Sequence, residues 1–156
     1  MKKLLYFLAI LFYFTIGCQN KGVIYDYQNN LESFIKNSCH YDLKSTEKNT
    51  VILILQNEDC ICTKDDIALA KGVISSSMYN SYNFIIIVSS SKHLFLKEIP
   101  RIDSRRLKII INDKNQLIDN GYIAVTDRVI IYNKGISKYF ADMHMTPTQK
   151  IKKEIL

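Results

Sequence analysis

The stretch "TVILILQ", Thr50 to Gln56, limits the possible folds more than any other. A strand with one wet face alternates apolar and polar residues. This run is β-branched or aliphatic at nearly every position, so it reads as a strand buried on both faces. Such strands belong to sheets covered by helices on both sides. Two similar runs follow, "NFIIIVSS" at Asn83–Ser90 and "RLKIIIND" at Arg106–Asp113.

Helical spacing fills the gaps. Leu31, Phe34, Ile35 and Cys39 predict a helix from about Asn29 to Ser38. The polar "DLKSTEKN" reads as a loop or a weak edge strand. After Asn57–Cys62 come Thr63, Asp65 and Asp66, which suit a helix's first turn. Ile67, Ala70, Ile74 and Met78 give that helix one apolar stripe. "SKHLFLKEI" predicts a short helix ended by Pro100, and "NQLIDNGYIAV" a short helix or turn. "DRVIIYNKGISKYF" predicts a hairpin turning at Asn133-Lys134-Gly135. "TPTQKIKKEIL" closes the chain as a helix capped by Thr146, with Pro147 at its first position and Ile151 and Ile155 facing inward. The fold class is α/β, a mixed central sheet with helices on both faces and a C-terminal hairpin plus helix.

The N-terminus bears on location. Lys2 and Lys3 precede an uncharged run from Leu4 to Gly17, which reads as a secretory signal. It is shorter than the roughly 20 apolar residues of a permanent membrane span. Its end, "TIGC", resembles a bacterial lipobox. The resemblance implies that Cys18 is lipidated, becomes the first mature residue and holds the protein on a membrane surface. An ordinary cleaved signal or an uncleaved anchor is the alternative. The expected organisation is residues 1–17 as signal peptide, 18–28 as tether and 29–156 as the folded domain, in the cell envelope facing the periplasm or the outside.

The full chain has 21 basic and 15 acidic residues. The signal removes two of the lysines. The remaining charges are interspersed, and the cluster Lys150, Lys152, Lys153 reads as a solvated helix face. A nucleic-acid partner, which needs a concentrated basic face, is not expected. No phosphate loop, GxGxxG or nucleophile elbow is present, so no cofactor is expected. His40, His93 and His144 share no motif and read as structural or exposed. Four cysteines are present. With Cys18 used, Cys39, Cys60 and Cys62 remain, an odd number that excludes a disulfide-stapled scaffold.

The candidate chemistry lies in "NEDCICTKDD", Asn57 to Asp66. The element order, with a cysteine where a buried strand turns into a helix, resembles the thioredoxin-like fold, in particular the membrane-anchored bacterial redoxins. The likeness covers about Thr50 to Leu156. "VILILQNEDC" corresponds to that family's strand, turn and cysteine, and "VIIYNKG" to its late strand and turn. It implies a thiol–disulfide oxidoreductase acting on protein thiols or disulfides, with Cys60 as the nucleophile. A helix N-terminus favours the thiolate such a role needs. Glu58, Asp59, Asp65 and Asp66 oppose it. The family's Cys-x-x-Cys puts its second cysteine where Thr63 stands here, and Cys62 falls one place early. The family's cis-proline has no counterpart in Val125-Thr126-Asp127-Arg128, where a non-proline cis bond would cost about 2.5–4 kcal/mol. Thr63, Thr126 and Asp127 are therefore accessory candidates beside Cys60 and Cys62.

Four readings of the pair stay open. The two cysteines close a small strained disulfide ring, and are then easily reduced. Cys60 acts alone, resolved by a partner thiol or by Cys39. Cys60, Cys62, Cys39 and His40 hold a metal, although a lone Cys-x-Cys is a weak metal signal. Or the module is a catalytically degenerate one, with a binding or structural role. Cys39 itself reads as a small buried hydrophobe.

Overall fold

A computed structural model describes residues 22–55, 63–75, 81–89, 105–112, 116–119 and 127–155. Its elements are α1 (Gln28–Cys39), β1 (Asn49–Leu55), α2 (Thr63–Ile74), β2 (Tyr82–Ser89), β3 (Leu107–Asn112), α3 (Gln116–Asp119), β4 (Arg128–Asn133), β5 (Ile136–Asp142) and α4 (Thr148–Ile155). The expected helix at Ser91–Ile99 lies outside the described residues.

Five strands form one sheet in the order β3-β2-β1-β4-β5. β1, β2 and β3 run parallel, with Leu53 opposite Ile86 and Ile86 opposite Ile109. β4 runs antiparallel to β1, pairing Ile54 with Arg128 and Thr50 with Tyr132. β5 returns beside β4. The three apolar-rich runs are thus the parallel strands, with β3 at the edge and partly exposed. β1 is central because both of its faces are covered, and six of its seven residues are buried.

Side chains of β1 alternate between two cores. Val51, Leu53 and Leu55 pack with Leu69, Ala70, Val73 and Ile74 of α2 and with Ile151 and Ile155 of α4. Ile52 and Ile54 pack on the other face with Leu31, Phe34 and Ile35 of α1, with Leu117, and with Tyr25. Full burial of each such aliphatic side chain stabilises by about 1.5–3 kcal/mol, before the entropy cost of ordering it.

α2 ends at Ile74, short of the Met78 that its stripe predicts; Met78 lies outside the described residues. Ser75 N–H still donates to Lys71 O at 2.9 Å, and serine, which follows Ile74 in the sequence, is a residue type that favours helix ends. α4 begins one residue after Pro147, whose carbonyl accepts hydrogen bonds from Lys150 N–H at 2.8 Å and Ile151 N–H at 3.2 Å. The "DLKSTEKN" segment is a loop up to Asn49, which opens β1. The hairpin turns through Lys134 (φ 47°) and Gly135 (φ 80°), the two consecutive positive φ angles of a type I′ turn. A Cβ on Gly135 would sit 2.5 Å from the Lys44 carbonyl oxygen, so this glycine is needed for space as well as conformation.

Gly22 to Tyr27, most of the stretch read as a tether, runs along the hairpin. Val23 N–H donates to Ser137 O at 2.7 Å. Tyr25 is buried and its ring stacks on Phe140 at 5.0 Å between centroids. Tyr27 meets the same ring edge-on. The segment therefore climbs β5 from Ser137 toward Phe140 before α1 begins.

Candidate functional site

Sheet register defines two poles. At one, β1 ends at Leu55, α2 begins at Thr63, β4 begins at Arg128 and β5 ends at Asp142. Residues 56–62, which carry Cys60 and Cys62, join the first two of these. They lie outside the described residues, as do Cys18 and Thr126. Thr63 is the first residue of α2, so both cysteines precede the helix in sequence.

Asp127 is described and buried at this pole. Its carbonyl accepts Met143 N–H at 2.9 Å, which ties the start of β4 to the end of β5. Arg128 and Asp142 strengthen that tie. Arg128 Nη1 donates to Asp142 Oδ2 at 2.6 Å, with both side chains mostly buried. The other carboxylate oxygen, Oδ1, accepts the N–H groups of His144 (2.9 Å) and Met145 (3.1 Å). One carboxylate thus takes an ion pair and closes the turn that follows it, the Asx pattern. The Arg128 guanidinium also lies 5.4 Å from the centroid of Phe140.

A shallow cavity of about 410 Å³ opens here, between Asp65 near the start of α2 and the β5–α4 turn from Met143 to Thr148. Met145 projects at its rim, 78% exposed. The cavity thus places the Asp65 carboxylate and the exposed Met145 thioether at one opening. Sequence reasoning placed Asp127 near the site but missed Arg128, Asp142 and Met145. The available signal was the aspartate opening "DMHMTP", an Asx-turn residue ahead of a helix-starting proline.

Cys39 lies elsewhere. Its Sγ donates to Ile35 O at 3.3 Å, it packs against the α1 core, and burial pushes its thiol pKa up. Tyr41, two residues on, hydrogen-bonds Thr50 at 2.9 Å and Asn83 at 2.7 Å, at the beginnings of β1 and β2. Cys39 and His40 therefore sit at the pole where β1 starts, whereas Cys60 and Cys62 follow its end. That placement gives no support to a shared metal site or to Cys39 as resolving thiol.

The described residues hold a second polar centre, buried beneath the hairpin. Tyr132 Oη donates to Glu32 Oε1 at 2.8 Å and lies 2.8 Å from Tyr25 Oη. Gln28 Nε2 also donates to Glu32 Oε1, at 2.8 Å, and Lys44 Nζ reaches Glu32 Oε2 at 2.9 Å. Burial raises the pKa of both phenols. Glu32 raises that of Lys44. This network is structural: it fastens the N-terminal segment, α1, the 42–48 loop and β4 together.

The architecture matches solved thioredoxin-like structures. One is a secreted Mycobacterium tuberculosis disulfide oxidoreductase homologous to E. coli DsbE, with 8% identity, TM-score 0.55, and coverage of 74% of this chain and 86% of that one. Another is the M. tuberculosis protein DsbF, seen in mixed oxidised and reduced forms, at 10% identity, TM-score 0.52, and coverage of 70% and 79%. A third is a thioredoxin homologue from Neisseria meningitidis, at 9% identity, TM-score 0.52, and coverage of 72% and 75%. No family model and no curated protein matches the chain. The chain has the thioredoxin-like fold, as the element order implied, and at these identities the likeness is one of fold.

Proposed function

We propose that this is an exported, lipid-anchored thioredoxin-like protein that exchanges disulfides with protein thiols through Cys60 and Cys62. The observation that carries the reading is positional. The two cysteines lie in the seven-residue connection 56–62 between the C-terminal end of the central strand and the first residue of α2. A peptide-sized cavity opens at the same pole, beside Asp65. In one direction, a Cys60 thiolate attacks a partner's disulfide sulfur and forms a mixed disulfide, releasing one partner thiolate. Cys62 then displaces the other, leaving Cys60–Cys62 oxidised and the partner reduced by two electrons. The reverse sequence oxidises a partner dithiol.

Anchoring rests on Cys18 at the end of the apolar leader, and an envelope location on that leader. Among the described residues no helix is long and apolar enough to cross a membrane. One of the fold's solved neighbours is itself a secreted oxidoreductase.

A second reading is a non-catalytic binding module. It is favoured by Thr63, which stands as the first helical residue where the family's second cysteine would be. Thiol trapping of the Cys60/Cys62 pair against defined redox buffers, with turnover on a disulfide substrate in wild type and Cys60→Ser, separates the two. A titratable pair and turnover abolished by Cys60→Ser support the oxidoreductase. Turnover indifferent to that substitution overturns it.

A further inference from the structure

We infer that the pole opposite the cysteine connection is seated directly on an anionic lipid surface, so that Cys60 and Cys62 face away from the membrane. The inference rests on the reading of Cys18 as the lipidated residue and adds to it an orientation.

Three observations carry it. First, the leash is short. Cys18 is four residues before Gly22, which spans at most about 14 Å even when fully extended. Gly22 is held against β5: a Cβ there would lie 2.6 Å from Ser137 O and 2.7 Å from Ile136 Cγ2. With Val23 bonded to Ser137, the chain meets the domain at a fixed point. Second, that point is at the far pole. Ser137 pairs with Tyr132, and Tyr132 with Thr50, at the beginning of β1. β1 rises about 3.3 Å per residue, so Leu55 stands about 17 Å above that level.

Third, the surface around the attachment has the composition of a membrane-facing one. Val23 (42% exposed), Ile24 (88%) and Ile136 (42%) are its apolar members. Gly135 abuts the Lys44 carbonyl, which brings the 42–48 loop beside the hairpin turn. Exposed Lys48 and Lys134 therefore share this end with Lys44, which is paired to Glu32, and with two acids of that loop, Glu47 and the Lys36-paired Asp42. Apolar residues bordered by lysines suit an acyl boundary beneath anionic headgroups. The substrate class follows. Partners are thiols on soluble proteins, or on domains standing well clear of the bilayer, and not cysteines at the headgroup layer.

The chain has no tryptophan, so an introduced one is a unique fluorophore. The test uses the mature lipidated protein in vesicles of brominated phosphatidylcholine and phosphatidylglycerol. Ile24→Trp reports the attachment pole. Ile118→Trp, on the exposed side of α3 just beyond the end of β3, reports the opposite one. The expected result is loss of most fluorescence for Ile24→Trp and none for Ile118→Trp. It is accompanied by weaker quenching of Ile24→Trp in the Lys48→Glu/Lys134→Glu background. A lipidated chain in which neither tryptophan is quenched, or both equally, overturns the orientation while leaving the anchor intact. A mature chain whose mass shows no lipid on Cys18 overturns the anchor and the orientation together. Quenching of Ile24→Trp that ignores both lysine reversals overturns the part given to anionic headgroups.

Discussion

Tyr132 shows what a single residue does here. It reads from sequence as one more hairpin aromatic, yet its hydroxyl joins Glu32, a hundred residues away, to Tyr25. Tyr132→Phe keeps the ring and removes the donor to a buried carboxylate. The expected cost is about 1–3 kcal/mol, seen as a lower urea midpoint with an unchanged slope. A midpoint equal to wild type would show that Gln28 and Lys44 satisfy Glu32 without it. The pH dependence has a definite sign. Both phenols are raised by burial above their ordinary value of 10.0, so the folded state holds their protons more tightly than the unfolded chain. Their contribution is complete below that value and is lost as pH rises above it. Stability should fall on the alkaline side from about pH 10, and less steeply in Tyr132→Phe. A urea midpoint level through this range would contradict the buried pair. No sequence pattern announces such a contact, because it depends on which face of β4 turns toward α1. Cys39 was more legible, since its place on an apolar stripe already indicated packing.

At the scale of elements, burial on both faces made β1 and β2 legible, while β3, an outer strand with Ile109 and Ile111 exposed, was legible through its run of isoleucines. The runs at 50–56, 83–90 and 106–113 each match a strand to within a residue at either end. The hairpin was legible through Gly135, whose positive φ and lack of a side chain are both used. Gly135→Ala forces a Cβ onto the Lys44 carbonyl, and the expected loss is about 1–3 kcal/mol. Calorimetry on the two proteins reads this as a lower unfolding temperature; no change would mean the 42–48 loop moves aside at little cost. The N-terminal segment was the least legible element. Its polar composition suggests a tether, and the ring that receives Tyr25 and Tyr27 comes from Phe140 on β5. The signal for docking was thus split between two distant stretches.

Across the whole molecule, the order of elements was enough for the fold, because short right-handed connections leave few topologies for parallel strands. It was not enough for the site. Position alone brings Cys60 and Cys62 to the end of β1. The pole itself is shaped by Arg128 and Asp142, which come from the hairpin and lie far from 56–62 in sequence. That ion pair links the site pole to the rest of the fold. Arg128→Ala leaves Asp142 mostly buried without its cation and loosens the turn at Met143–Thr148. The expected cost is about 3 kcal/mol or more for the broken pair. Turnover on a protein disulfide should fall by a larger factor than turnover on a small-molecule one. Equal losses on both substrates would mean that the turn does not shape the peptide surface.

The segment at Gly22 and Val23 has one more consequence. β5 is an outer strand of the sheet, and outer strands invite pairing with other chains. Val23 occupies the Ser137 carbonyl at the start of that strand. The piece of chain leading to the proposed lipid thus also covers the start of this outer strand. A form of the protein shortened to begin at Gln28 would lose that cover together with Tyr25, and the cost should appear as clumping in solution before any loss of strand content.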